Sequence, residues 1–206
     1  MPNSLDFTMN QIGGILLAAG LSDRMQGPNK MLLPYGNSSV IGTTYQALSQ
    51  SRLLKTVIVT GRDAVLVQDQ ILLQGDDQIV HNGLFTSGMT SSIQVALNEL
   101  KSFEAVMVCL GDMPLLTSAD YDLLINTFEE TCDDGHILVP WFQGKRANPV
   151  IFSRQYFDEI LNHEQPNGCS GIVKRHPEKV LNLNVDSERF ITDLDTPKDY
   201  QRLKEK

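Results

Sequence analysis

The chain of 206 residues is 41% apolar and 20% charged, ordinary proportions for a soluble globular protein, so whole-chain disorder and collagen-like repeats are excluded. Lys and Arg total 17 against 25 Asp and Glu, a net charge of −8 that argues against a nucleic-acid partner. An anionic small ligand stays compatible with that balance, provided a local cluster of amides and cations holds it. The three cysteines, Cys109, Cys132 and Cys169, are odd in number and form no CxxC pair, which speaks against a disulfide framework or a structural zinc site. No apolar run approaches the roughly 20 residues of a membrane span. Residues 1–11 lack the pattern of a signal peptide. The expectation is a cytoplasmic protein with no membrane partner, a mobile tail over 1–11 and one domain over 12–206.

In chain order, Ile12–Ala18 reads as a buried strand, followed by a polar, glycine-containing loop to Asn29. Val40–Gln50 has helical spacing, and Thr56–Thr60 is β-branched throughout. Asp63–Gln74 reads as a helix with Asp63 as N-cap and Gly75 beyond its end. Ile79–Val80 is a short strand, Ser91–Leu100 a helix, and Ala105–Leu110 a strand without charges. A helix over Thr117–Cys132 opens with the capping-box pair Thr117 and Asp120. Strands follow at Ile137–Pro140, Val150–Phe152 and Val180–Val185, and Thr196-Pro197-Lys198-Asp199 opens a last capped helix with Pro at its first position. This βα alternation with unbroken apolar strands predicts a three-layer α/β/α sandwich, Rossmann-like, around a mostly parallel sheet. Ligands of such sheets bind beyond the carboxyl ends of strands, so the loops after Ala18, Val80, Leu110 and Val185 are the ones that could carry chemistry.

The loop from Leu17 to Lys30 combines small residues, Gly20 and Gly27 with the cations Arg24 and Lys30, a composition suited to phosphate. It is neither a Walker A loop nor G-x-G-x-x-G. Asp112, directly after the Ala105–Leu110 strand, can serve a turn before Pro114 or a hard cation such as Mg2+; beside a phosphate-type loop the metal reading is preferred. Asp193 and Asp195 share one side of an extended segment, where either can complete a metal site, although Asp195 can equally serve the helix start at Thr196. The small, polar stretch Gly83–Ser92 precedes a helix whose first amides suit a base, ribose or phosphate. Lys145-Arg146-Ala147-Asn148-Pro149-Val150 is a second cationic spot, and Arg175 is a candidate for meeting an acceptor's charge. His81, His136, His163 and His176 lack metal-ligand spacing, and Trp141 is expected to pack beside the sheet edge.

The pattern L-A-A-G-x-S-x-R-M-x-x-x-x-K from Leu17 resembles the nucleotide-binding signature of the MobA-like molybdenum-cofactor nucleotidylyltransferases. Gly88-Met89-Thr90-Ser91-Ser92, Gly111-Asp112-Met113-Pro114 and Asp193-Leu194-Asp195-Thr196-Pro197-Lys198-Asp199 resemble three further segments of that family, in order and spacing. The resemblance runs from about Gly14 to Tyr200 and implies the nucleotide-diphospho-sugar transferase type of fold with Mg2+-dependent transfer of a nucleotidyl group to a phosphate. It implies Arg24, Lys30 and Asp112 as catalytic residues and Asp112, Asp195 and Asp193 as metal ligands. A nucleotide site follows from Leu17, Ala18, Ala19, Gly20, Arg24, Lys30, Gly61, Ser87, Gly88, Ser92, Gly111 and Asp112, and an acceptor site from Lys145, Asn148 and Arg175. Where the cytidylyltransferase branch carries G-x-x-G-H-P-V near its acceptor, this chain has Ala147 and Asn148. CTP-using branches carry L-A-A-G where GTP-using ones carry L-A-G-G, so Ala19 favours CTP, with molybdopterin as the acceptor it implies and a molybdoenzyme as the downstream partner. The alternatives are GTP as donor, a sugar, alditol or isoprenoid phosphate as acceptor, or a non-catalytic nucleotide-binding maturation factor.

Overall fold

The computed structural model describes residues 11–25, 27–131 and 135–204; the expectations for the tail and for Cys132 lie outside them. Strand β1 (Ile12–Ala18) is buried along its whole length. Two single 3-10 turns follow, and then a two-stranded ribbon of β2 (Pro34–Tyr35) and β3 (Ser38–Ser39). Ser39 caps α1 (Val40–Ser49), its hydroxyl accepting the Gly42 N–H at 3.1 Å. After β4 (Lys55–Thr60) comes α2 (Ala64–Gln68), then β5 (Gln78–His81), α3 (Met89–Glu99), β6 (Ala105–Leu110) and α4 (Ser118–Thr131). The rest is β7 (Ile137–Phe142), β8 (Lys145–Arg146), β9 (Val150–Ser153), α5 (Phe157–Leu161), α6 (Ser170–Arg175), β10 (Val180–Asn184) and α7 (Pro197–Lys204).

Seven strands run in the order β10-β7-β9-β6-β1-β4-β5, with β8 folded back on β7. Only β9, between β6 and β7, and the short β8 are antiparallel to their neighbours. Strand alternation sends Leu16, Ile58, Met107 and Cys109 to one face, where Ile41, Leu48, Tyr121 and Phe128 of α1 and α4 cover them. Ile15, Val57, Val59 and Val106 point to the other face and pack on Ile93, Leu97, Ile160 and Ile172 of α3, α5 and α6. The molecule is thus the expected three-layer sandwich. From β1 the chain moves outward through β4 and β5 on one side and to β6 on the other, so the strand order reverses between β1 and β6. A crevice opens beyond the carboxyl ends of strands at such a reversal.

Three local expectations need correction. The helix expected over Asp63–Gln74 stops at Gln68. Asp63 sits at φ +54° and makes no capping bond; its carboxylate instead accepts from Asn29 and pairs with Arg62. Val65 and Leu72 stay 72% and 81% exposed, so the apolar spacing has no core to bury against. Tyr45 anchors the segment between α2 and β5: its hydroxyl donates to Asp77 at 2.8 Å and accepts the Gln74 N–H at 2.8 Å, while Asp77 accepts the Thr56 N–H. Gly75 adopts a left-handed φ of +51° in that turn rather than at a helix end. Finally, Trp141 lies on β7, one strand in from the sheet edge.

Both predicted capping boxes form. At α4 the Asp120 carboxylate accepts the Thr117 N–H at 2.8 Å and the Thr117 hydroxyl at 2.7 Å. Its other oxygen takes the Arg189 guanidinium at 2.9 Å, which ties the segment after β10 to the start of α4. Asp120→Ala removes three bonds to a buried charged acceptor and is expected to cost about 1.5–3 kcal/mol. Urea unfolding against the wild type measures the loss, and Glu130→Ala at an exposed position of the same helix serves as the control.

Candidate active site

The crevice between β1 and β6 is built around Gly111. Its N–H donates to the Leu17 carbonyl at 2.9 Å, and a Cβ there would meet that same oxygen at 2.7 Å. Only glycine permits this approach, which places Asp112 beside the loop that follows Ala18. Asp112 is buried, one oxygen bound by the Lys30 ammonium and the other, Oδ1, without a hydrogen-bond partner among the described residues. Its backbone carbonyl accepts the Leu194 N–H at 3.0 Å, bringing Asp193 and Asp195 alongside. One carboxylate oxygen from each of Asp112, Asp193 and Asp195 lies within 4.8 Å of the others.

Lys30 is aimed by its own turn. The buried Asn29 accepts the Met31 N–H at 3.1 Å and donates to the Arg62 carbonyl and the Asp63 carboxylate. The Lys30 N–H donates to the Ser22 hydroxyl at 3.2 Å. The ammonium therefore enters between Asp112 and Asp195, at 2.9 Å from the latter, while Arg24 reaches the outer Asp195 oxygen at 2.8 Å. Burial alone would lower the Lys30 pKa, but the charges of Asp112 and Asp195 and the bonds to them hold it above its ordinary value. Burial raises the Asp112 carboxyl against the pull of Lys30, and burial with repulsion from Asp195 and Asp112 raises that of Asp193. Three carboxylates share one fully charged lysine and a peripheral arginine. An unspent buried carboxylate lone pair beside two more carboxylates suits a hard divalent cation.

From this cluster a cleft extends over Leu17, Ala19, Gly20 and Leu21 to Phe85, Gly88 and Ser92. The far wall is held by Asn82, 2% exposed. Its side-chain amide donates to the hydroxyls of Ser91 at 2.8 Å and Ser92 at 2.9 Å, and its carbonyl oxygen accepts the Leu84 N–H at 2.9 Å. Gly88 begins α3 at φ +118°, against Pro166. A second cavity, sharing Met89 and Leu110 with the cleft, runs down to Arg146, Asn148, Asn167 and Ser170.

The structure brings Arg24, Lys30, Asp112, Asp193 and Asp195 into one cluster, and sets Leu17, Ala19, Gly20, Gly88 and Ser92 on the cleft wall beside it. Ala18 is buried on the opposite sheet face, toward α1 and α4. Gly61 lies beneath Phe85 rather than on the cleft wall. The Ser87 hydroxyl is spent on the Leu84 carbonyl at 2.7 Å. Of the candidate acceptor residues only Asn148 lines the second cavity. Lys145 points away on β8, and Arg175 is clamped by Glu159 at 2.6 Å because both sit on the outer side of the α5–α6 layer. Asn29 and Asn82 were not among the expected residues; an asparagine before the Lys30 turn and the Asn82-Gly83 pair were the available signals.

The model of the MobA-like NTP transferase domain matches residues 14–180, and the chain belongs to that family of nucleotidyltransferases. Over 203 residues it is 28% identical to the molybdenum cofactor cytidylyltransferase of Escherichia coli (strain K12), a match covering 96% of this chain and 98% of that protein. It is 25% identical over 210 residues to a probable molybdenum cofactor guanylyltransferase of Carboxydothermus hydrogenoformans, covering 95% and 96%. The crystal structure of Rv0371C from Mycobacterium tuberculosis H37Rv in complex with manganese superposes with a TM-score of 0.76 at 28% identity, over 97% of this chain and all of that one.

Asn82→Ala is expected to loosen the cleft wall while leaving the sheet intact. Hydrogen exchange of the Leu84 amide and of the first α3 amides should accelerate about 5- to 150-fold, the equivalent of about 1–3 kcal/mol for a buried hydrogen-bonding group lost. Amides of β1 and β6 in the same variant should keep their wild-type rates.

Proposed function

We propose that this MobA-like transferase moves a nucleotidyl group from a nucleoside triphosphate to a phosphate-bearing acceptor with release of pyrophosphate, most specifically CMP from CTP to the terminal phosphate of molybdopterin. The observation that carries the reading is the charged Lys30 seated between Asp112 and Asp195, beside the buried Asp112 Oδ1, which has no hydrogen-bond partner among the described residues, in the β1–β6 crevice. The names of the two curated relatives support molybdopterin chemistry and differ over the base.

Asp112, with Asp193 and Asp195, would hold a divalent cation, Mg2+ in this reading; the manganese in the Rv0371C complex supports a divalent ion here. Bound there, the cation supplies charge neutralisation to the triphosphate. Lys30 stays protonated and puts its positive charge on the phosphate oxygens, and Arg24, at the solvent side, meets the outer end of the triphosphate. An acceptor phosphate monoester with a second pKa of about 6 is already mostly dianionic near neutrality. Its oxygen forms the new bond to the α-phosphorus as the bond to the pyrophosphate oxygen breaks, and no protein base has a proton to take. The catalytic contribution of the chain is therefore position and charge.

Base choice falls on the cleft wall. The Ala19 methyl fills space that glycine would leave open, which favours a pyrimidine by overlap with the larger guanine. A single methyl is worth about 1–3 kcal/mol in such discrimination. Assayed for pyrophosphate release with four nucleotides at equal concentration and molybdopterin as acceptor, the wild type is expected to prefer CTP, and Ala19→Gly to narrow the CTP/GTP ratio without inverting it. A wild-type preference for GTP removes the cytidylyl assignment; no pyrophosphate release with any nucleotide removes the reading as an enzyme of molybdopterin.

Asp112→Asn keeps the shape of the side chain and removes its charge. Manganese binding followed by electron paramagnetic resonance should weaken at least tenfold, and turnover should fall by at least about a hundredfold, in keeping with several kcal/mol of charge stabilisation from a metal. An unchanged far-ultraviolet circular dichroism spectrum separates this from loss of folding.

A further inference from the structure

We infer, on the nucleotidyl-transfer reading, that Arg62 and Asp63 are positioning residues: they form a clasp that fixes the loop after β1 in the shape that receives a triphosphate. Both lie outside the four segments that carry the family resemblance. They directly follow β4, the strand paired with β1, so the clasp joins the carboxyl ends of two neighbouring strands.

The Arg62 guanidinium donates to the Leu21 carbonyl and pairs with the Asp63 carboxylate at 3.3 Å. The Asn29 side-chain amide donates at 3.3 Å to the Arg62 carbonyl and at 3.4 Å to that same carboxylate oxygen. The side-chain oxygen of Asn29 in turn accepts the Ser22 hydroxyl at 3.3 Å. Two residues at the end of β4 therefore hold the loop at both of its ends, at Leu21 and at the turn that carries Lys30.

The clasp sets the direction of a backbone donor. The Leu21–Ser22 peptide is trans, so its N–H points away from the carbonyl that Arg62 holds. The Ser22 N–H has no hydrogen-bond partner among the described residues. Ser22 lines a cavity of about 320 Å3 with Gly20, Leu21, Arg24, Lys30 and Asp195. A fixed, unspent amide beside two cations is a donor for a phosphate oxygen.

Folding stability does not account for this arrangement. Ser22 and Asp63 are two of the three non-glycine residues described with a left-handed φ, at +57° and +54°, and both bond to Asn29. Such backbone persists only where its surroundings impose it. The Arg62 and Asp63 side chains are each 36% exposed, and an ion pair so placed adds little to stability. Asp63 makes no capping bond to α2 either. What the clasp secures is the shape of the loop.

Inorganic tripolyphosphate with manganese, titrated by calorimetry, probes the loop without base or acceptor. Arg62→Ala should bind it at least tenfold more weakly, the equivalent of a lost hydrogen bond to a charged group, and Arg62→Lys should restore part of the loss. Manganese alone should bind Arg62→Ala as it binds the wild type. Arg154 makes the same pair of contacts at the opposite end of the sheet, donating to the Phe103 carbonyl at 3.0 Å and pairing with Glu104 at 3.7 Å. Arg154→Ala should stay within twofold of wild type. Asp63→Gly parts positioning from structure, because glycine adopts φ +54° freely. Its thermal midpoint should not fall, while tripolyphosphate binding should weaken at least fivefold. Wild-type affinity in Arg62→Ala, or losses that only follow the thermal midpoint, overturns the clasp and leaves the transfer reading standing. No saturable binding by the wild type removes that reading, and the clasp with it.

Discussion

A lysine ammonium inserted between carboxylates from distant parts of the chain is the constraint on which the rest of this site depends. Lys30 cannot be moved without leaving Asp112, almost wholly out of water, stripped of its counter-charge beside two other acids, with only the peripheral Arg24 on Asp195. Asn29 and Ser22 aim the lysine, Gly111 lets its partner approach the β1 backbone, and the Leu194 N–H brings up the second acid. The net charge of −8 sharpens the demand. A site for anions in such a chain must concentrate its few cations where the strand order reverses, and Arg24, Lys30 and Arg146 are distributed along that line of cavities.

The central strands were legible in the sequence because they are buried on both faces. Ala105–Leu110 carries no polar side chain but a cysteine and matches β6 residue for residue, and Ile12–Ala18 does the same for β1. Helices were legible where they bury a face. The Asp63–Gln74 stretch shows the limit, since spacing alone cannot tell a helix with a core beneath it from one without. The antiparallel insertion of β9 was not readable either: hydrogen-bonding direction leaves no mark on a run of apolar residues.

The loops around Lys30 and Asp112 declared themselves through residue types whose chemistry is narrow, a lysine after glycines and an aspartate at a strand end. Asn82 and Arg62 did not, because their importance lies in what they touch. Asparagine beside glycine suggests a turn, and only the fold shows that this one spends both its N–H groups on the hydroxyls of α3. Likewise Lys145 and Arg146 are equivalent on paper, and the two-residue strand they form turns one toward the cavity and the other away.

The reach of the Lys30–Asp195 pair, 165 residues along the chain, carries a consequence for how the protein is made. At about 5–20 residues per second of synthesis, roughly 10–30 seconds separate the appearance of the two side chains. Over the second half of that interval the nascent chain holds β1, β4 and β6 with Lys30 and Asp112 already present, and lacks the acid that closes the cluster. The electrostatic core of the site therefore closes only after nearly all of the sheet has been made, so an incomplete chain that has already collapsed onto its central strands still lacks an acid of the cluster.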